Sequence, residues 1–343
     1  MKILKYLLFL ILIIIIAGSI YVATKDGEFQ VEQTKVIEAP REMVYNEVNN
    51  YKNWENWEPW SQESEDMVVN YFEKTKGEGA GYMWKSEDMG DGQIRTTEAT
   101  PFSKINQIIS FDTPFGETSS QVYWEFEEAE NGTKVTWGMK GEQSFTEKLI
   151  FSFQDQSISE MMLPMFDKGL ENMETVILNK MKEYNISVDG IIQHGGGYYM
   201  YTTTASKMSQ VDERMQKMIA DVSSYMEQNN IEKTGNPFVL YNEWNDEKGT
   251  AIFSAGIFTS SEVITPAESM ILNDYLPNQK VVKTTLKGDY KNLKEAWDKT
   301  YAYILENGLE VNSEANPFEV YLTSPEHISN PAKWVTHIYV PVK

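Results

Sequence analysis

One carboxylate in this chain stands among apolar neighbours. Asn316-Pro317-Phe318-Glu319-Val320-Tyr321 repeats Asn236-Pro237-Phe238-Val239-Leu240-Tyr241, and the copies differ in charge at one position, where Glu319 replaces Val239. A carboxylate on a half-buried strand can neutralise an organic cation, and removal from water raises its pKa unless such a cation is near. Strand alternation puts Phe318 and Val320 on one face and Glu319 with Tyr321 on the other. Tyr321 brings a hydroxyl that needs a partner when buried. Trp297, Tyr301 and Trp334 add aromatic faces for cation–π contact, worth about 0.5–2 kcal/mol each. The expected ligand-binding set is therefore Glu319, Tyr321, Trp297, Tyr301 and Trp334. The same carboxylate could instead serve a hydrolase of an electrophilic small molecule, as general base toward a water. No second acid at a telling position supports that alternative, so binding rather than catalysis is the expectation.

Other motifs carry less chemistry. His194-Gly195-Gly196-Gly197 has the look of an oxyanion loop, but no Gly-x-Ser-x-Gly elbow accompanies it. A flexible hinge between domains is the expected role. His194, His327 and His337 lack metal-ligand spacing, and no His-Glu-x-x-His occurs, so neither metal nor cofactor is expected. The chain has no cysteine, which removes disulfides, thiolate catalysis and cysteine-held zinc.

The elements that must position these residues follow from length and patterning. A chain of 343 residues suits two domains, each with its own core. Net charge is −21, which argues against nucleic acid, since phosphate contacts need Lys and Arg. Tyr6 to Ala23 is almost wholly apolar, and about 18 such residues just cross a bilayer core as a helix. A cleaved signal peptide is the rival, with Ala17-Gly18-Ser19 as a poor cleavage region; the long apolar run favours an uncleaved anchor. Lys2 and Lys5 before the run place the N-terminus in the cytoplasm. The expectation is a single-pass protein of a bacterial inner membrane, with its soluble domains periplasmic.

Residues 1–28 are thus anchor and linker. A strand over 29–38 precedes Ala39-Pro40 and a short helix; Trp54, Trp57 and Trp60 follow within seven residues. Val68 to Gly141 reads as a strand meander, with a hairpin at Asn131-Gly132. Met162, Phe166, Leu170, Met173, Ile177 and Met181 form one stripe of a long helix over 157–184. This order resembles the START-like, helix-grip superfamily that includes polyketide cyclases. The carriers are Ala39-Pro40-Arg41-Glu42-Met43-Val44-Tyr45, the tryptophan cluster and the closing helix, over residues 29–184. The resemblance implies a sheet curled round that helix, with a cavity suited to a lipid or another hydrophobic molecule. The tryptophans either close its mouth or pack the short helices onto the sheet.

From 190 to 343 a strand–helix–strand–strand unit occurs twice, 80 positions apart. The connecting segment 185–190 is the expected boundary. Leu293, Trp297, Tyr301 and Ile304 line the second unit's helix. This half resembles the gyrase-inhibitor-like, effector-binding domain. The carriers are Gly288-Asp289-Tyr290, the hexapeptide holding Glu319, and Val335-Thr336-His337-Ile338-Tyr339-Val340-Pro341-Val342. The resemblance implies a cleft between two repeats, with an acidic residue that contacts lipophilic cations; Glu319 is the matching position. It departs from the pattern at His337, where Glu or Asp would be expected. The fold class is α+β: a transmembrane helix, a helix-grip domain, then a pseudo-two-fold α+β domain. The expected partners are a small amphipathic or cationic molecule and, through the N-terminal helix, the membrane.

Overall fold

The structure, a computed structural model, describes residues 2–64, 66–113, 116–154, 156–323, 325 and 327–343. Helix α1, Lys2–Ala23, presents its apolar side chains outward along nearly its whole length. One helix among the described residues is long and apolar enough to cross a membrane, Leu4–Ala23 within α1. The chain then divides into two compact units, Met1–Lys180 and Met181–Lys343.

In the first unit, strand β1, Glu28–Ile37, leads to helix α2, Arg41–Asn49, and the single turn α3, Trp60–Glu63. The meander follows as β2 Val68–Tyr71, β3 Gly81–Lys85, β4 Gly92–Thr100, β5 Lys104–Thr113, β6 Gly116–Ala129 and β7 Gly132–Glu142. Helices α4, Phe145–Phe151, and α5, Ile158–Lys182, close it. The sheet runs β1-β7-β6-β5-β4-β3-β2, antiparallel throughout. The expected hairpin joins β6 to β7, with Ala129 paired to Gly132. Gly132 has φ 140°, and a Cβ there would meet the Ile37 carbonyl oxygen, so only glycine lets β1 end so close. The α5 stripe buries Phe166, Leu170, Met173 and Ile177, with the Phe166 ring stacked 4.2 Å from that of Trp137.

The second unit comprises β8 Asn185–His194, β9 Gly197–Lys207, α6 Val211–Gln228, β10 Lys233–Asn245, β11 Thr250–Thr259, β12 Leu272–Leu276, β13 Gln279–Lys287, α7 Leu293–Glu306, β14 Phe318–Tyr321 and β15 Val335–Pro341. Its sheet runs β12-β9-β11-β10-β14-β15-β13-β8. The repeated unit is β9-α6-β10-β11 and again β13-α7-β14-β15. Spatial order is palindromic about the seam between β10 and β14. Helix α6 packs on β9, β11 and the flank of β10, and α7 packs on β13, β15 and β8. Strand β14 lies in the gap between the helices.

Three expectations change. Residues 185–190, expected to connect domains, are the first half of β8, which pairs with β13. His194-Gly195-Gly196-Gly197 is accordingly no interdomain hinge. It carries the chain from β8 at one edge of the sheet to β9 near the other. Gly196, at φ 72°, permits the turn, and the His194 ring packs edge-on against Phe318 and Tyr339. Finally, α7 is rotated from the face expected: Ala296, Thr300 and Ile304 are buried, while Tyr301 is exposed. Small Ala296 and Thr300 let the helix approach the sheet closely, and the Thr300 hydroxyl is satisfied by Thr284 and the Ala296 carbonyl. The large rings are left at the helix flank.

Candidate functional site: a buried carboxylate ringed by aromatic donors

Four residues of β14 build the centre of the site. Phe318 and Val320 enter the apolar cluster with Phe238, Leu240 and Tyr339. Glu319 and Tyr321 point to the helix-bearing face, where Tyr321 joins Val239 and Phe253. Glu319 is 1 % exposed. Its Oε1 accepts the Trp297 indole N–H at 2.5 Å. Its Oε2 accepts the Tyr241 hydroxyl at 3.0 Å and also the Tyr321 hydroxyl. None of the ion pairs among the described residues includes it.

Aromatic rings extend outward from these donors. Trp297 meets Tyr241 edge-on at 5.7 Å and carries Tyr301 stacked at 6.1 Å. Tyr290 meets Tyr321 edge-on at 5.3 Å, and Trp334 lies 4.7 Å beyond it. Of the expected residues, Glu319, Tyr321 and Trp297 are therefore in direct contact. Tyr301, 43 % exposed, reaches the carboxylate only through Trp297. Trp334 sits two rings away, its indole N–H held by the Ile328 carbonyl at 2.6 Å. Sequence reasoning missed Tyr241 and Tyr290. The signal for Tyr241 was present, since it is the repeat counterpart of Tyr321.

Burial pushes the Glu319 carboxyl up from its ordinary 4.5, against the pull of the three hydrogen bonds; the Asp212 carboxylate on α6 adds to the rise. Tyr241 and Tyr321 are both driven well above 10, first by burial and then by Glu319 itself. They remain donors across the physiological range. His337 lies on the opposite face, beside Val320, with Nδ1 3.2 Å from the Tyr339 hydroxyl. Its place in the family pattern therefore leaves the Glu319 side untouched.

The first unit holds an aromatic cavity of about 400 Å³, lined among others by Trp54, Trp60, Tyr82, Trp84, Trp137 and Phe166. The tryptophan cluster divides its roles. Trp57 is fully buried and packs edge-on against Trp124 and Trp137, while Trp54 and Trp60 line the cavity. No group of three or more His, Asp or Glu among the described residues is placed to hold a metal ion.

Comparison with known proteins gives both halves a family. Residues 28–177 match the family described as polyketide cyclase / dehydrase and lipid transport. Residues 198–343 match that of the GyrI-like small molecule binding domain. No curated protein matches the chain. Among solved structures, the C-terminal domain of EcmrR is 18% identical, covering 47% of this chain and 98% of that one at a TM-score of 0.40. A protein from Chromobacterium violaceum is 15% identical, covering 43% and 96% at 0.33. One from Staphylococcus epidermidis is 17% identical, covering 47% and 94% at 0.34. The chain thus carries, behind an apolar N-terminal helix, a polyketide cyclase / dehydrase and lipid transport domain followed by a GyrI-like small-molecule-binding domain.

Proposed function

We propose that the protein is a membrane-anchored receptor for a small amphipathic cation, with Glu319 as the charge-selecting anchor. One observation carries this reading. Glu319 is a buried ionisable carboxylate whose partners are all neutral aromatic donors. Burying a carboxylate without a cation is costly, and a positive ligand removes most of that cost. The rings around it supply affinity, each cation–π contact contributing about 0.5–2 kcal/mol. Trp297 and Tyr301 stand between Glu319 and solvent on the flank of α7. A ligand reaches the carboxylate by displacing them, in a state that the free protein populates weakly.

Hydrolysis with Glu319 as general base requires a water within hydrogen-bond reach. Two donors on Oε2 and one on Oε1 compete with such a water, which favours binding over catalysis. The test is thermal unfolding of the full chain with lipophilic cations, neutral amphiphiles and anionic amphiphiles, in wild type and Glu319→Gln. A native-state binder raises the melting temperature by mass action. Cation-specific stabilisation absent from Glu319→Gln is the expected result. Equal stabilisation of both proteins would overturn the assignment.

The anchoring half of the proposal rests on α1 and on what adjoins it. Gln143 donates its backbone N–H to the Gly27 carbonyl at 2.9 Å, and Lys25 donates to the Ser152 hydroxyl at 3.1 Å. These bonds fasten α4 to the residues that leave α1. Phe145, Leu149 and Ile150 of α4 are exposed, and Phe153 beyond it is 84 % exposed. Four residues separate α1 from β1, a reach of at most about 18 Å. With α1 in a bilayer, those apolar side chains stand at its surface. Lys2 and Lys5 in the first turn of α1, ahead of its apolar run, support a cytoplasmic N-terminus in a bacterial inner membrane, with the two units outside.

A further inference from the structure

The cavity of the first unit has a chemistry of its own. Among the described residues its charged lining residues are Glu58, Glu142 and Glu147, with no Lys, Arg or His. Glu58 is the deep one, 4 % exposed. Backbone amides hold it in place: Trp60 N–H donates to Oε2 at 2.9 Å and Ser61 N–H to Oε1 at 3.0 Å. None of the ion pairs among the described residues includes it. Glu142, exposed, ends β7, and Glu147, half-buried, lies in the first turn of α4. Four indoles complete the picture: Trp54, Trp60, Trp84 and Trp137.

Trp137 lends the cavity only part of its ring: it is stacked between Trp124 and Phe166, and its indole N–H is buried away from the cavity with no acceptor among the described residues. The Glu58 carboxylate is a costly choice if its work were only to cap a helix of one turn. Burial pushes its carboxyl above the ordinary value against the hydrogen bonds from Ser61 and Trp60, and its charge adds to the rise at Tyr82 across the cavity.

We propose that this cavity binds a small organic cation, with Glu58 as counter-ion and the indoles of Trp54, Trp60 and Trp84 as cation–π walls. Its negative lining excludes fatty acids and other anionic amphiphiles. The protein then has one site of the same class in each unit, built on unrelated folds. This assignment stands on the first unit alone and is independent of Glu319.

The test uses the full chain carrying Glu319→Gln, in nanodiscs of zwitterionic lipid, so that the second unit's carboxylate contributes nothing. The probes are benzoylcholine and its uncharged carbon isostere, 3,3-dimethylbutyl benzoate. They differ in one atom, a charged nitrogen in the first and a carbon in the second. Calorimetric titration is expected to show the cation binding tighter by about tenfold or more, with 4-phenylbutyrate not binding. Adding Glu58→Gln is expected to abolish the preference while the isostere still binds, which also reports that the cavity is folded. Equal affinity of the two probes in the unmutated cavity would overturn the proposal, and needs no Glu58 variant to be seen. So would a preference that survives Glu58→Gln. Failure at Glu319 shows separately, as cation binding identical in wild type and Glu319→Gln.

Discussion

Val239 and Glu319 occupy the fourth place in two copies of one hexapeptide, and they face each other directly across β10 and β14. Phe238 pairs with Val320 and Leu240 with Phe318, so the pseudo-two-fold axis passes through the Val239–Glu319 pair. Exact symmetry would set two buried carboxylates side by side, each raising the other's pKa. The duplication is broken at the one position where both copies cannot be acidic. Both repeat tyrosines, Tyr241 and Tyr321, nevertheless turn their hydroxyls onto the single carboxylate.

Val239→Glu should therefore be severely destabilising. Val239 is fully buried, and its replacement would be an unpaired charge next to another. A loss of about 3–5 kcal/mol is expected, as for other uncompensated buried charges. Urea unfolding at neutral pH measures it, and the loss should shrink in the Val239→Glu/Glu319→Gln double variant.

Glu319 should leave a signature in stability against pH. Its folded pKa is raised above the ordinary 4.5, so its contribution is full below that value and is lost as pH rises through the raised one. Glu319→Gln removes this loss, and the Tyr241 and Tyr321 hydroxyls can turn to accept from the new amide. The melting temperature of Glu319→Gln minus that of wild type should grow as pH rises from about 4.5. Cation affinity should rise over the same window, because only the ionised carboxylate attracts the ligand.

The tyrosine donors should act as a unit. Each hydrogen bond to a charged group contributes about 1.5–3 kcal/mol, so Tyr241→Phe and Tyr321→Phe are each expected to destabilise by that order at neutral pH. Both serve Oε2, so the double variant should fall short of the sum, which a double-mutant cycle in urea measures. Each single variant should also raise the Glu319 pKa further, moving the pH window above upward.

The absence of cysteine makes the membrane placement directly measurable. Single cysteines at Ile13, Phe153 and Val68, labelled with an environment-sensitive fluorophore, would be read in proteoliposomes containing spin-labelled lipids. Ile13 should be quenched deeply and Phe153 at a shallow depth, with Val68, exposed on the short strand β2, unquenched. An unquenched Ile13 would remove the anchor. A quenched Ile13 with an unquenched Phe153 would keep the anchor and lift α4 off the bilayer.

Local periodicity made much of this protein legible in its sequence. The run from Tyr6 to Ala23 specifies a helix with an apolar surface all round, because composition alone sets that property. Period-two alternation in a four-residue strand put Glu319 and Tyr321 on one face. The stripe through Phe166, Leu170, Met173 and Ile177 identified the buried side of α5. The duplicated hexapeptide revealed the internal two-fold and its single carboxylate. Each of these depends on neighbours in the chain.

Tertiary structure decided what depends on distant partners. Strand β8 was hidden because its partner β13 lies about 90 residues away and half its side chains face water. The rotation of α7 was set by close approach to the sheet, which selected Ala296 and Thr300 over the larger rings one position along. The antiparallel apposition of the two repeats placed Val239 opposite Glu319 and delivered Tyr241 to it from 78 residues away. Sequence supplied the carboxylate; pairing of strands far apart in the chain buried it and chose its partners.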